Sequence, residues 1–571
     1  MKRRQSSDLE QKVVGEEPVK KPKTKSEWIS GTALYNILLN DHLQEWIKIH
    51  SPEQIGERGL FLETLMNSGK EFEKTIFSLL ESKIGNQPVA FFPNQYHREL
   101  IDDVQRAMIE QKVVIFSPSV YSSTLKFYGV PDLLIRVEDV NQFVPNCLTP
   151  EEVEQYKHGY LIIDVKFMTL PLSADGIHMV NSGHLPAYKG QLYIYHSIIQ
   201  EMSEKIGLPV VPFACLLGRA AKQTTKGETY YYESFEKMGR VDFTDRDKHV
   251  PTAVEKGVEW LRECRKNGQD WLDNLEEHPE LYPNMKAHGE NSFKAGFAET
   301  LGEITSLWYC GLKERQKAFQ QGVKSWKDEN FTSQTVGFKG DRAKVLDAIL
   351  EVNRGDDLIL PAKMTKMTKA IQRINQKEFF VDFETIPEFL GEERIFMISA
   401  GWIEYDLDLE EHWKCETFVL ESLSDESEMK MAQDFLSLIG DDSELYHWAD
   451  AEFHIWENFC LRHRKYNDPQ FHIRDRWTDL LFVFKQEPIT VKGAFNFSLK
   501  SIVKALSATI GLSYQGEVKD GLTAAVHAVN HYTQFERYRP TPEMREIVKY
   551  NQLDCEALWK ILGLLRDMNG I

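Results

Sequence analysis

The stretch Leu161-Ile162-Ile163-Asp164-Val165-Lys166-Phe167 constrains this 571-residue chain most, because it reads as a buried strand with two charged side chains set into it. Alternate side chains of a strand face opposite ways, so Leu161, Ile163, Val165 and Phe167 share one face. Ile162, Asp164 and Lys166 share the other. Burying either charge uncompensated is costly, so the pair calls for a task or a metal. A lone D-x-K is more often a solvated face with an incidental ion pair, so other residues must support any larger reading.

The chain is too long for one hydrophobic core and predicts roughly three or four domain-sized units. Its net charge of −19 gives no general attraction for nucleic acid, so a polyanion site must be local, lined by basic groups or bridged by metal. Seven scattered cysteines without a C-x-x-C spacing argue against a disulfide framework, a zinc ribbon or an iron-sulfur cluster. No apolar run approaches the ~18 residues of a membrane span, and the basic N-terminus lacks an apolar core, so a soluble intracellular protein is expected. Residues 1–27 read as a disordered basic tail, with eight Lys/Arg against four Asp/Glu in the first 26. Within it Pro18-Val19-Lys20-Lys21-Pro22-Lys23 resembles a short nuclear import signal; a solvated basic tail is the alternative.

Three further elements accompany the Asp164 strand. Asn67 to Phe77 opens an amphipathic helix continuing through Leu79 and Leu80, with Glu73 three residues before Ile76 and four before Phe77, beside the apolar stripe. Gly129-Val130-Pro131-Asp132 feeds the apolar strand Leu133-Leu134-Ile135, which can neighbour the Asp164 strand. Gly190-Gln191-Leu192-Tyr193-Ile194-Tyr195 begins a helix in which Gln191 and Tyr195 stand one above the other.

Glu73, G-V-P-D at Asp132, I-D-V-K at Asp164 and Lys166, and Q-x-x-x-Y at Gln191 and Tyr195 resemble, in order and spacing, the RecB-like PD-(D/E)XK nucleases. The resemblance implies an α/β restriction-endonuclease-like domain, placed at residues 28–285, that hydrolyses phosphodiester bonds. Glu73, Asp132 and Asp164 would bind Mg²⁺ or Mn²⁺ through hard carboxylate oxygens. Lys166 would hold the attacking water, and Gln191 and Tyr195 would position nucleic acid. The four-cysteine iron-sulfur cluster of some relatives has no counterpart in this sequence.

Phe213 to Arg219 reads as one more strand, and Thr252 to Leu275 as a long closing helix. Residues 286–370 read as a helical linker module, with two short helices broken at glycines between Glu303 and Trp326. The rhythm loosely resembles a helix-hairpin-helix, but the pair of turn glycines is incomplete and a plain spacer is the better fit.

A second centre begins at Glu378-Phe379-Phe380-Val381-Asp382-Phe383-Glu384-Thr385, where Asp382 and Glu384 share one strand face and repel unless a cation bridges them. In the last helix Ile547, Leu558, Ile561, Leu562 and Leu565 form the buried stripe, with Asp554 in its middle and Tyr550 at its edge. A carboxylate there is expensive unless it ligates something or accepts hydrogen bonds from a nearby turn. V-D-F-E-T at 381–385 with Y-N-Q-L-D at 550–554 resembles the RNase H-like exonucleases of the DEDD class, in the variant with tyrosine four residues before the last acid. The middle motif departs from that pattern: in Leu445-Tyr446-His447-Trp448-Ala449-Asp450-Ala451-Glu452, Glu452 aligns best and Asp450 is the alternative. The resemblance implies two-metal hydrolysis by Asp382, Glu384, Glu452 and Asp554, with Tyr550 orienting water, in a domain at residues 371–571. Trp477 to Leu481 and Phe497 to Val503 are expected as intervening helices.

Together these readings predict a metal-dependent nuclease with two α/β catalytic domains, acting on nucleic acid with DNA placed ahead of RNA. A nucleic-acid-binding scaffold with one site lost, the C-terminal one first, is the alternative.

Overall fold

The computed structural model describes residues 27–56, 59–287, 291–372, 377–405, 410–516, 518 and 520–571. The Lys20-Lys21-Pro22-Lys23 run lies outside the described residues. The chain divides into two compact units, one formed by the chain up to Ile55 with Ser68–Leu281, the other by Gly56–Asn67 with Tyr282–Ile571.

In the first unit the strands are β1 (Ile29–Ser30), β2 (Val89–Phe91), β3 (Val114–Phe116), β4 (Val120–Ser122), β5 (Phe127–Gly129), β6 (Leu133–Arg136), β7 (Tyr160–Leu172), β8 (Phe213–Thr225), β9 (Glu228–Glu233) and β10 (Gly239–Asp242). The helices that cover them are α1 (Leu60–Ile84), α2 (Ile101–Ile109), α3 (Leu185–Ile206) and α4 (His249–Asn267). The main sheet runs β10-β8-β7-β6-β3-β2, with β9 paired to β8. β6 and β7 pair antiparallel with Leu133 opposite Ile163, and β7 and β8 pair parallel with Asp164 opposite Leu216. Both faces of β7 are covered: Leu161, Ile163 and Val165 pack with Ile76, Leu80 and Ile84 of α1, whereas Ile162 packs with Leu192, Ile198 and Val254 of α3 and α4. The face that carries Asp164 and Lys166 is therefore interior, not solvated.

Three helix limits differ from the sequence reading, the first at α1, which already begins at Leu60 and not at Asn67. α3 starts at Leu185 rather than Gly190, with Pro186 in its first turn, where a missing N–H costs nothing. α4 ends at Asn267, well short of Leu275; the Gly268 amide donates to the Cys264 carbonyl at 2.8 Å, and a Cβ at Gly268 would meet that carbonyl oxygen. A short 3₁₀ turn, Trp271–Asn274, follows.

The second unit contains α5 (Ser292–Leu301), α6 (Leu312–Gln320), α7 (Asp341–Arg354), β11 (Ile359–Leu360), β12 (Lys377–Ile386), β13 (Arg394–Tyr405), β14 (Glu411–Val419), α8 (Asp425–Ile439), β15 (Ser443–His447), α9 (Ala451–Arg462), β16 (Trp477–Asp479), α10 (Leu480–Gln486), β17 (Thr490–Val491), α11 (Leu499–Ile510), α12 (Gly521–Phe535) and α13 (Pro542–Asn569). Its five-stranded sheet runs β14-β13-β12-β15-β16, antiparallel among the first three and parallel from β12 outward. Trp477–Asp479, expected as the start of a helix, is the edge strand β16, and only from Leu480 does the chain turn helical. Phe379, Val381 and Phe383 of β12 join the core beneath α8 and α9; Phe380 joins the opposite core, with Leu558, Ile561 and Leu562 of α13. Asp382 and Glu384 alternate with the first set and so face the α13 side.

The stretch expected as a linker is part of this second core. Between Glu303 and Trp326 it holds one 3₁₀ turn (Ile304–Ser306) and one α-helix, α6. Ile304, Leu307, Ala318, Val345, Leu346 and Ile349 share a cluster with the buried face of α13. Buried Arg315 donates to the Tyr282 and Pro283 carbonyls at 3.0 Å and lies 3.3 Å from the Glu303 carboxylate.

Glu428 of α8 fastens the sheet to its helices. It is fully buried, accepts from the Ile395 amide at 2.7 Å, and meets Arg462 at 2.5 Å, His463 at 2.8 Å and Arg394 at 3.5 Å. Glu428→Ala would leave two guanidinium groups facing a void, and urea denaturation should show a loss of ~3–5 kcal/mol.

Candidate active sites

In the first unit, Asp164 and Lys166 stand two residues apart on β7, Asp132 immediately precedes β6, and the antiparallel register brings Asp132 beside Asp164. Asp132 Oδ2 accepts from the Val165 amide at 2.6 Å, which fixes its carboxylate across the strand pair. Asp164 is 1% exposed and ion-paired with Lys166. Glu73 reaches the same place from α1 and accepts from Asn94 Nδ2 at 2.6 Å. Burial pushes the Asp132 carboxyl well above the usual range and Asp164 pushes it further; burial and then Asp164 raise Glu73 as well. Burial opposes the charge on Lys166, but the Asp164 and Asp132 carboxylates more than offset it, so the ammonium holds its proton.

Gln191 and Tyr195 line the other side on α3, buried and joined by a 3.0 Å hydrogen bond from Gln191 Nε2 to the Tyr195 hydroxyl. The Tyr195 ring lies so close to the backbone at Gly31 and Gly129 that a Cβ at either would overlap it. Gly129 of the G-V-P-D run is thus required by contact with Tyr195, not by a turn. Sequence reasoning missed Tyr188, whose ring lies 5.1 Å from Lys166 Nζ, and Tyr35, which hydrogen-bonds His184 Nδ1 at 2.5 Å and packs on Tyr188. Tyr188 stands three residues before Gln191, on the same helical face, a spacing that could have exposed it.

In the second unit four acids from three elements converge. Asp382 and Glu384 come from β12, Glu452 from the first turn of α9, and Asp554 from α13. Glu384, Glu452 and Asp554 are 5%, 6% and 6% exposed. Exposed Asp450 instead meets His454 at 3.5 Å, on the surface. On α13, Ile547, Asn551, Asp554 and Leu558 all face inward, so Asn551 joins Asp554 as a polar position of the stripe beside the acids. Asn551 Nδ2 donates to Asp382 Oδ2, while Asn551 Oδ1 is buried without a partner. The Tyr514 and Tyr550 hydroxyls both hydrogen-bond Asp554. Lys500 Nζ lies 4.7 Å from the Tyr550 ring centre and 5.7 Å from that of Tyr514. His447 Nδ1 is 3.3 Å from Glu452 Oε2, and the neighbouring carboxylate of Asp479 accepts from the Ala449 and Leu481 amides. Of these added groups, Asn551 was legible from its place four residues after Ile547 and three before Asp554; Lys500, Tyr514 and Asp479 carried no signal.

The second site's electrostatics follow from crowding acids into a dry space. Burial first, then Asp554, Glu384 and Glu452, push Asp382 well above the usual carboxylate range. Burial and Asp554 push Glu384 up to about 8, and burial raises Asp554 to about 6 against the pull of Tyr514 and Lys500. Burial also raises Glu452, against the pull of His447.

Both carboxylate sets are hard oxygen donors suited to Mg²⁺ or Mn²⁺, and the unpartnered Asn551 oxygen and the mutual repulsion of the acids fit a cation. Neither set is drawn tightly around a point. Among the described residues the one triad with ligand atoms within 4.8 Å of one another is Asp425, Glu428 and His463. That triad already holds the Arg394 and Arg462 guanidinium groups, so its negative charge is neutralised without a metal.

With the site and the β14-β13-β12-β15-β16 strand order in place, the comparison with known proteins is decisive for one part of the chain. Residues 379–566 match the family model of the RNase_H superfamily. The second unit therefore carries an RNase H-like domain, which marks it as a nuclease acting on nucleic acid. All four converging acids lie within the RNase H-like match. No curated protein matches the chain. Among the described residues no helix is long and apolar enough to cross a membrane.

Raising a buried acid's pKa in the fold destabilises it between its unfolded and folded pKa values, because there the unfolded chain ionises first. For Glu384 that window runs from 4.5 to about 8, and stability falls as pH rises through it. In EDTA, Glu384→Gln should gain on wild type by ~2–3 kcal/mol between pH 5 and pH 8, read from paired urea titrations. An advantage that is constant with pH would mean Glu384 is not ionised against its neighbours.

Proposed function

We propose that this protein is a divalent-metal-dependent nuclease with two active sites, a PD-(D/E)XK site at Glu73, Asp132, Asp164 and Lys166 and a DEDD-type exonuclease site at Asp382, Glu384, Glu452 and Asp554, with DNA as substrate. The observation that carries it is the convergence of buried and half-buried, mutually repelling carboxylates at the two separate centres, one of them inside the RNase H-like match. Bound Mg²⁺ or Mn²⁺ would neutralise phosphoryl charge and lower the pKa of the attacking water.

The chain's own groups do the rest. Asp164 holds the Lys166 ammonium, which remains protonated and meets the charge that develops on the phosphate. Gln191 and Tyr195, locked together, orient the strand at that site. In the second site Tyr550, kept protonated by burial and by the nearby Asp554, orients water, and Lys500 supplies a cation beside Glu384 and Asp554. The polarity implied by the DEDD resemblance is removal of nucleotides from 3′ ends. Supporting this reading, Glu452 is buried among the other acids, which compensates for the variant middle motif.

Full-length wild type, Asp164→Ala, Lys166→Ala, Asp382→Ala and the double variant Asp164→Ala/Asp382→Ala should be compared on end-labelled single-stranded and duplex DNA and RNA in Mg²⁺ and Mn²⁺. Asp164→Ala and Lys166→Ala should remove one product class, Asp382→Ala should remove 3′ trimming, and the double variant should fall to background. Wild-type cleavage persisting in the double variant would refute the assignment, and preferred digestion of RNA would transfer the substrate to the other polymer.

The acids also predict a metal-dependent reversal. In EDTA, Asp554→Asn should melt no lower than wild type, because relief of repulsion offsets the altered hydrogen bonds from Tyr514 and Tyr550. In excess Mn²⁺, wild type should gain stability by thermal melt and Asp554→Asn should lose most of that gain. A variant destabilised by ~1–3 kcal/mol in EDTA with its Mn²⁺ response intact would mark Asp554 as structural.

A further inference from the structure

We propose that Tyr188 is a positioning residue of the first site, its ring face holding the Lys166 ammonium in place beside Asp164, a reading that rests on that site being a nuclease centre. Tyr188 belongs to the face of α3 that carries Gln191 and Tyr195, three and seven residues further on. Lys166 Nζ lies 5.1 Å from the Tyr188 ring centre, inside the ~6 Å reach of a cation–π contact. Burial keeps the phenol protonated although Lys166 favours its ionised form, so it is the neutral ring that meets the ammonium.

A lysine in this role needs such a second hold. Its ammonium ends a flexible four-carbon stem, and one ion pair fixes the distance to the partner but not the direction. Asp164 supplies that ion pair from the interior, at 1% exposure, while the Lys166 side chain keeps 19% exposure and so stays open to a substrate. The two contacts come from different elements, Asp164 from β7 and Tyr188 from α3, and together they fix the ammonium from two directions.

Tyr188 is itself braced, which separates it from a surface ring free to turn. Its amide donates to the His184 carbonyl at 3.2 Å, and the Tyr35 hydroxyl meets both His184 Nδ1, at 2.5 Å, and the Tyr188 hydroxyl. The three half-buried rings form a triangle with centres 5.9, 6.1 and 6.2 Å apart. The helical turn that brings in Tyr35, Tyr35–Leu38, is pressed against α3 so closely that a Cβ at Gly190 would overlap Leu38. This brace fixes the Tyr188 ring in the orientation that faces Lys166.

The test uses the full chain carrying Asp382→Ala, which silences the second site, and follows cleavage of fluorescein-labelled DNA and RNA in Mn²⁺. Tyr188→Leu should lower kcat by ~10-fold or more with KM little changed, whereas Tyr188→Phe, which keeps the ring, should stay within ~3-fold of the parent. Phenylalanine and its mono-, di- and trifluorinated forms at position 188 hold the ring's size nearly constant while each fluorine weakens its negative face. Along that series kcat should fall stepwise at an unchanged thermal melt. A flat series, or losses that track the melting temperature, would overturn the proposal, because packing alone is blind to the charge of the ring face. Cleavage that requires Asp164 but ignores the series refutes the role of Tyr188 and leaves the nuclease reading standing. If Asp164→Ala leaves cleavage intact, or neither polymer is cleaved, the nuclease reading of this site falls and takes the proposal with it.

Discussion

Carboxylates placed together out of water repel one another, and the main sheet of each unit is built to hold such a group against that repulsion. In the first unit the β6–β7 register and the Val165 amide fix Asp132 beside Asp164, and Lys166 alone carries the opposing charge on that face of β7. In the second, β12 supplies two acids with the spacing of a single pleat, and α9 and α13 close over them with two more. Glu428 makes the contrast clear. It is as deeply buried as Glu384, yet two arginines, a histidine and a backbone amide answer its charge. Burial alone therefore does not distinguish a working acid from a structural one; what distinguishes them is whether the protein itself supplies the countercharge.

The parts of this arrangement that were legible in the sequence are those governed by a single element's periodicity. The two-residue repeat of a strand set Asp382 with Glu384 and Asp164 with Lys166, and the helical wheel exposed Asp554. What stayed hidden depends on contacts between elements distant in sequence. Tyr35 and Tyr188 meet only because α3 packs near the first residues of the unit, and Tyr514 reaches Asp554 across 40 positions. Short strands fared similarly: Trp477–Asp479 is too brief to display a period, and only its parallel pairing with β15 makes it a strand. The overlong reading of α4 had a local cause, since an apolar pattern continues past Gly268 although the backbone does not.

The two faces of β12 also divide the labour of the second unit. One buries phenylalanines against α8 and α9, giving the strand a rigid footing; the other presents the acids towards α13. The footing is aromatic in part because Phe383 must fill the space between Phe435, Trp456 and Trp477, so the groups that set the position of Asp382 and Glu384 are the same groups that shape the wall beyond them.

The residues before β12 belong to that footing as well. Val345, Leu346 and Ile349 of α7 bury against the same cluster as Leu558, Ile561 and Leu562 of α13, the helix that carries Asp554. Ancestry and cooperativity thus have different borders here, since the RNase H-like match begins at residue 379 while the cluster that supports it reaches back to Ile304. A fragment cut at the ancestral border would open a greasy face on its last helix and would be expected to aggregate or loosen before any chemistry could be assayed. The buried cluster that supports α13 begins some seventy residues upstream of the matched segment, and the matched piece owes part of its packing to chain that the match does not include.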